Sequence, residues 1–264
     1  MTPEMKDYLF DLNGYLIHQG AVDVDHIREL NAGLDALLPM EKGEWKGNVH
    51  LPGGKHMQQI YEAGDPFERL IDHPAWVEDI RHFIGSKDTK FDGYRGVFID
   101  EAVADVRGPG AATPLHSGGH ERLTRTQYRV FNGEFHCGQI NIILALTDIG
   151  PGDGATMVIP GSHKSNFQHP ERGEGGDRKK SVDSFTGAIE VHLKAGDALM
   201  FVDALGHGSA ERINEGERRI LIYRYGPHWG ANRWGYLPSD ELLERLTPER
   251  RKIVQPLEPV RRPE

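Results

Sequence analysis

From about residue 91 onward the chain breaks into short apolar runs separated by turn residues, and this limits its fold more than any other feature. The runs are "YRGVFIDE", "GQINIILALTDI", "ATMVIPGSH", "AIEVHL", "DALMFV" and "RRILIYRYG", punctuated by "GPGDGA", "PGSH" and "KAGD". Short segments rich in β-branched and aromatic residues, bounded by Gly, Pro and Asp, read as strands joined by turns rather than by crossover helices. Strands connected in this way run antiparallel, and a sandwich or jelly roll is their natural closure.

The first ninety residues read differently. In "DVDHIRELNAGLDALLP", Ile27, Leu30, Leu34, Leu37 and Leu38 recur at helical spacing, an aspartate caps the start and Pro39 stops the run. A second region, "DPFERLIDHPAWVEDIRHFIG", repeats the pattern, with Pro74 at a helix start and Gly85 as a C-terminal cap. The expectation is one domain, 1–264: a mainly helical flank over 1–90, a β core over 91–230, and a C-terminal segment over 231–264 ending in the tail "PLEPVRRPE". The polar, Gly-rich stretch 168–184 reads as a loop.

With 31 Lys+Arg against 40 Asp+Glu the formal charge is −9, which disfavours a nucleic-acid polymer or an anionic membrane as partner. An anionic small molecule must be met locally. Cys137 is the only cysteine, so neither an internal disulfide nor a thiolate cluster can form. The N-terminus shows no basic stretch leading into a long apolar run, and no segment is long enough to span a bilayer, so a cytoplasmic location is expected.

The chemistry rests on an ordered set of residues. His116 precedes His207 by 91 positions, and Arg218 follows His207 by 11. Around them, "LTDIGPGDGATMVIPGSHKSNF" and "KAGDALMFVDALGHGSAERINEGERR" closely resemble the phytanoyl-CoA dioxygenase family of Fe(II)- and 2-oxoglutarate-dependent oxygenases. The resemblance implies a mainly β double-stranded β-helix, a cupin-like jelly roll with N-terminal helices. It also implies that His116 and His207 ligate iron and that Arg218 clamps the distal carboxylate of 2-oxoglutarate. Strand alternation turns only one of Arg218 and Arg219 inward, leaving Arg219 as the alternative clamp. Asn141 and Gln139 share a face of "GQINIILAL" and are candidates to contact the co-substrate or orient a halide. His163 in "PGSH" reads as structural.

One position departs from the pattern. "TPLHSGGHERL" has Gly118 where the family carries the third, carboxylate ligand. Three readings follow: a barrel that binds without catalysis; a hydroxylase that recruits His120 or Glu121; and a halogenase in which the vacancy at Gly118 admits chloride. The last is the first expectation: chlorination of an unactivated C–H bond, consuming O2 and releasing succinate and CO2. Arg122, Arg125 and Arg129 beside His120, with Lys55 and His56 from "LPGGKHMQQIY", form a candidate basic grip for an anionic substrate such as a nucleoside monophosphate.

Overall fold

The computed structural model describes residues 1–50, 54–85, 96–110, 112–117, 124–172, 184–230 and 237–255. Thr2 caps helix α1 (Pro3–Asn13) and Gly14, in the left-handed region at φ 83°, ends it. Strand β1 (Tyr15–His18) follows. In α2 (Val24–Leu37) the Asp23 carboxylate accepts from the amides of Asp25 and His26, and Ile27, Leu30, Leu34 and Leu37 are buried as their spacing predicts. Then come β2 (Val49–His50), β3 (Lys55–Gln58), α3 (Asp65–Glu68) and α4 (Val77–Ile84), the last closed by Gly85 at φ 78°.

The later strands are β4 (Val97–Arg107), β5 (Thr113–His116), β6 (Val130–Phe131), β7 (Glu134–Phe135), β8 (Ile140–Ala145), β9 (Thr156–Val158), β10 (Ile189–Val191), β11 (Ala198–Val202), β12 (His207–Ser209) and β13 (Arg218–Pro227). Helices α5 (Asp240–Arg245) and α6 (Pro248–Val254) end the described chain. A seven-stranded sheet runs β1-β11-β8-β13-β4-β3-β2 and faces a four-stranded sheet β10-β9-β12-β5 across the core; β6 and β7 form a separate hairpin. Every pairing is antiparallel, giving the expected jelly roll.

The mainly helical N-terminal third also supplies three short strands. β1 pairs with β11 at one margin of the large sheet, and β2 and β3 extend the other beyond β4. "KHMQ" has no β-branched residue, so its extended form comes from pairing with the long strand β4 rather than from local preference.

Alternation along β13 divides the molecule into a cavity side and a helix side. Leu221, Tyr223 and Tyr225 point to the helices, where Tyr223 Oη donates to the Phe67 carbonyl at 2.9 Å and Tyr225 Oη to those of Leu70 and Ile71 at 3.1 and 3.0 Å. Hydrogen bonds of this kind stabilise by about 1 kcal/mol each and fix where the helices dock. Phe10 stacks on Phe83 at 3.9 Å, and Phe135 meets Phe83 edge to face at 4.9 Å, joining α1 and α4 to the β6–β7 hairpin. At the C-terminal end, Arg245 pairs with Glu68 and Arg250 with Asp72, clasping α5 and α6 to the N-terminal helical layer.

Candidate functional site

Arg218, Ile220, Ile222 and Arg224 are the other half of the β13 alternation, and they face a cavity of about 410 Å³ between the two sheets. Val103 and Ile143 join Ile220 and Ile222 in an aliphatic belt, with polar groups clustered at either end.

At one end, His116 closes β5 and His207 opens β12, and the two are direct partners across the ladder. Their ring centroids are 4.0 Å apart. His116 Nδ1 donates to the Pro114 carbonyl at 2.9 Å and His207 Nδ1 to the Leu205 carbonyl at 2.7 Å. A carbonyl can only accept, so each Nδ1 carries the proton and each neutral ring keeps its lone pair on Nε2. Burial, assisted by His116, pushes the His207 pKa down to about 3, so this ring is neutral at physiological pH. Phe201 packs edge to face on His207 at 4.7 Å and fixes its plane. Two oriented neutral imidazoles suit a divalent first-row metal. Among the described residues, no third His, Cys, Asp or Glu completes a ligand set with them.

A buried carboxylate that sequence reasoning missed stands behind this pair. Asp203 Oδ1 accepts from Asn141 Nδ2 at 3.0 Å, and Ser117 Oγ approaches Oδ2 at 3.4 Å. Burial opposes its charge, but the field of Arg224 and the Asn141 hydrogen bond act against burial, and its pKa lies below the usual carboxylate value. Ser117 sits in the left-handed region at φ 59°, uncommon for a residue with a side chain, and its carbonyl accepts from Arg172. The available signal was an acid inside an otherwise apolar run, four residues before His207 in "FVDALGH".

At the far end, Arg218 Nη2 bonds Asp105 Oδ2 at 2.8 Å and Nη1 donates to the Gly154 carbonyl, while its buried Nε has no hydrogen-bond partner. Arg107 Nε pairs with the other Asp105 oxygen at 3.1 Å, and its Nη1 donates to Thr113 Oγ1 at 2.8 Å. Arg219 points outward to Asp35 and Glu217. Parity therefore puts Arg218, not Arg219, on the cavity.

The two ends differ in charge. Around Arg218, two guanidinium groups, Arg107 and Arg218, face one carboxylate, Asp105. Beside the histidines, two carboxylates, Asp203 and Glu101, face one guanidinium, Arg224, whose Nη1 bonds Glu101 at 2.6 Å. The first end suits an anion and the second a cation.

The remaining candidates separate. Gly118, His120, Glu121 and Arg122 lie outside the described residues. Asn141 lines the cavity, whereas Gln139 lies behind it, accepting from Arg125 Nη1 and facing Asn141 at 3.5 Å. His56 is on the cavity wall, 3.6 Å from Asp105, with its pKa lowered by burial. Three residues of the expected basic grip are elsewhere: Arg125, held by Gln139 and Asp100, Lys55 and Arg129. Lys55 turns away to donate to the carbonyls of Leu38 and Met40 at the end of α2, where an ammonium is favoured by the unsatisfied oxygens. Arg129 is exposed beside the β6–β7 hairpin, away from the cavity wall. A second cavity of about 360 Å³ lies behind the His116–Ser117 and Gly206–His207 segments, lined by Leu115, Ile159, Phe167 and Arg172 among others.

The double-stranded β-helix, with a histidine pair at one end of its cavity and a buried arginine at the other, agrees with the class that comparison with known proteins gives, the non-haem iron, 2-oxoglutarate-dependent oxygenases. The family model described as phytanoyl-CoA dioxygenase (PhyH) matches residues 10–220, and the chain belongs to that family. Dioxygenase FUM3 of Gibberella moniliformis is 37% identical over 222 residues, 79% of this chain and 67% of that protein. Dioxygenase cdmD of Talaromyces verruculosus is 25% identical over 264 residues, 92% and 80% of the two chains. Among solved structures, HygX from Streptomyces hygroscopicus, with nickel and 2-oxoglutarate bound, superposes with a TM-score of 0.71 at 24% identity, covering 86% of this chain and 87% of its own. The 2-oxoglutarate-dependent epimerase SnoN from nogalamycin biosynthesis gives 0.62 at 18%, covering 86% and 85%. Among the described residues, no helix is long and apolar enough to cross a membrane.

Proposed function

We propose that the protein oxidises an aliphatic C–H bond of a small molecule with Fe(II), 2-oxoglutarate and O2, releasing succinate and CO2. The observation that carries this reading is the pair of histidines, facing each other across the ladder and each pinned through Nδ1 to a backbone carbonyl, which makes Nε2 the nitrogen of each ring that would ligate an ion. Bound iron would supply O2 activation, driven by oxidative decarboxylation of the co-substrate.

The chain's own residues do the positioning. His116 and His207 hold the metal. Arg218 presents Nε and its positive charge to the distal carboxylate, and Ile143, Ile220 and Ile222 face the methylene groups between. Asp105 and the Gly154 carbonyl hold the guanidinium in place before the co-substrate arrives. An anionic substrate, a nucleotide among them, would meet Arg107 and His56 on the cavity wall rather than Lys55, Arg125 or Arg129.

Gly118 favours a second reading, halogenation, in which chloride is a further ligand and chlorine replaces oxygen in the product. The test is succinate formation from Fe(II), 2-oxoglutarate and O2, with and without chloride, across a panel of small molecules that includes nucleoside monophosphates. Mass spectrometry of the products separates oxygen from chlorine insertion. Turnover that His116→Ala and His207→Ala leave intact would refute the metal site.

A further inference from the structure

Asp203 is 8% exposed and lies in the wall behind the histidine pair. A buried carboxylate normally bonds a cation directly, yet the neighbouring guanidinium groups are bonded to other groups: Arg224, whose field reaches Asp203, to Glu101, and Arg125 to Asp100 at 3.8 Å and to Gln139. Asp203 instead ends a hydrogen-bonded series that runs from Arg125 through Gln139 and Asn141, with donors pointing toward the carboxylate throughout. Such a chain polarises toward its anionic end and fixes that anion in place. It does not neutralise it.

We propose that Asp203 supplies the negative charge of the metal site, in place of the acid that residue 118 lacks, so that the site takes a divalent cation without a halide. The inference rests on the oxygenase reading above and deepens it. Asp203 acts from outside the ligand set, by its charge beside the two imidazoles and its contact with Ser117, and is therefore a positioning residue rather than a ligand. Its fixed charge attracts a divalent ion and repels a second anion brought to the same place. The oxygenase thus keeps a carboxylate at its metal despite Gly118.

The experiment compares wild type, Asp203→Asn and Asp203→Glu. Nickel affinity is measured by calorimetry in the presence of 2-oxoglutarate, melting temperature is measured without metal, and the anaerobic Fe(II)–2-oxoglutarate visible band is recorded with and without chloride. Asp203→Asn should weaken nickel binding by about 10- to 100-fold, as loss of an outer partner of a metal site does. The metal-free variant should melt within a few degrees of wild type, because Asn keeps the shape and an acceptor for Asn141 Nδ2; a purely structural role would lower the melting temperature and leave the chloride response unchanged. Asp203→Glu keeps the charge and should recover part of the nickel affinity. The wild-type band should ignore chloride, and that of Asp203→Asn should respond to it. Wild-type nickel affinity in Asp203→Asn, or a chloride-sensitive wild-type band, would overturn the proposal while leaving the oxygenase reading standing. Failure of the wild type itself to bind nickel would overturn both.

Discussion

Replacing Arg218 by methionine separates two effects. The side chain is 3% exposed and ion-paired to Asp105, itself 4% exposed. Removing one partner of such a pair costs about 3–5 kcal/mol. Asp105 keeps Arg107 Nε at 3.1 Å and His56 Nδ1 at 3.6 Å, which places the loss at the lower end, about 3 kcal/mol, or roughly 6–12 °C in melting temperature for a chain of this size. The second effect is on the co-substrate. A hydrogen bond to a charged group is worth about 1.5–3 kcal/mol, so the Kd for 2-oxoglutarate should rise roughly 10- to 150-fold. Arg218→Lys should fall between, since an ammonium keeps the charge and loses the planar fork. Arg219→Met is the control: its partners Asp35 and Glu217 lie on the outer surface, so stability should fall by less than about 1 kcal/mol and the Kd should hold. Calorimetric titration of nickel-loaded protein with 2-oxoglutarate, carried out well below each variant's melting temperature, reads both. If folded Arg218→Met binds within about threefold of wild type, Arg218 does not grip the co-substrate.

Three further outcomes test the structure. His163 is buried with Nε2 bonded to the Asp11 carbonyl, and burial pushes its pKa down to about 4; the unfolded chain therefore binds the extra proton first, and stability falls as pH drops from about 6.5 toward 4. Linkage gives a loss of about 2 kcal/mol between pH 7 and 5, and urea melts should show that His163→Gln removes this share of the slope. A Cβ at Gly85 would lie 2.0 Å from the Phe135 carbonyl oxygen at a φ of 78°, so Gly85→Ala should cost about 2 kcal/mol or more, read from the denaturation midpoint. His116→Ala and His207→Ala should each abolish nickel binding measurable by calorimetry while melting within a few degrees of metal-free wild type.

Legibility from sequence followed how local each signal was. The apolar runs that became β4, β8, β9, β10, β11 and β13 announce themselves through composition and turn residues, and the parity of β13 separates Arg218 from Arg219. β1 and β3 do not, because "YLIH" and "KHMQ" become strands only when a long partner lies beside them. Lys55 illustrates the same limit. Its charge suggests a substrate grip, but the chain carries it to the carbonyls ending α2, a contact across 15 and 17 residues that no motif encodes. Asp203 was missed because its meaning depends on β8: Asn141 lies opposite Phe201 in the ladder, and only that register brings the amide to the carboxylate. The histidine pair was legible because family spacing stood in for the missing geometry.

The β5–β12 ladder also orders events in time. His116 and His207 are brought together only by closing a stretch of 91 residues, an entropy cost on the order of 4 kcal/mol beyond the constant term. A chain emerging from the ribosome carries the first imidazole long before the second exists. Metal capture by both must therefore follow synthesis past Ser209 and docking of the small sheet, and a bound ion would then act as a clasp, stabilising only chains whose barrel has already closed.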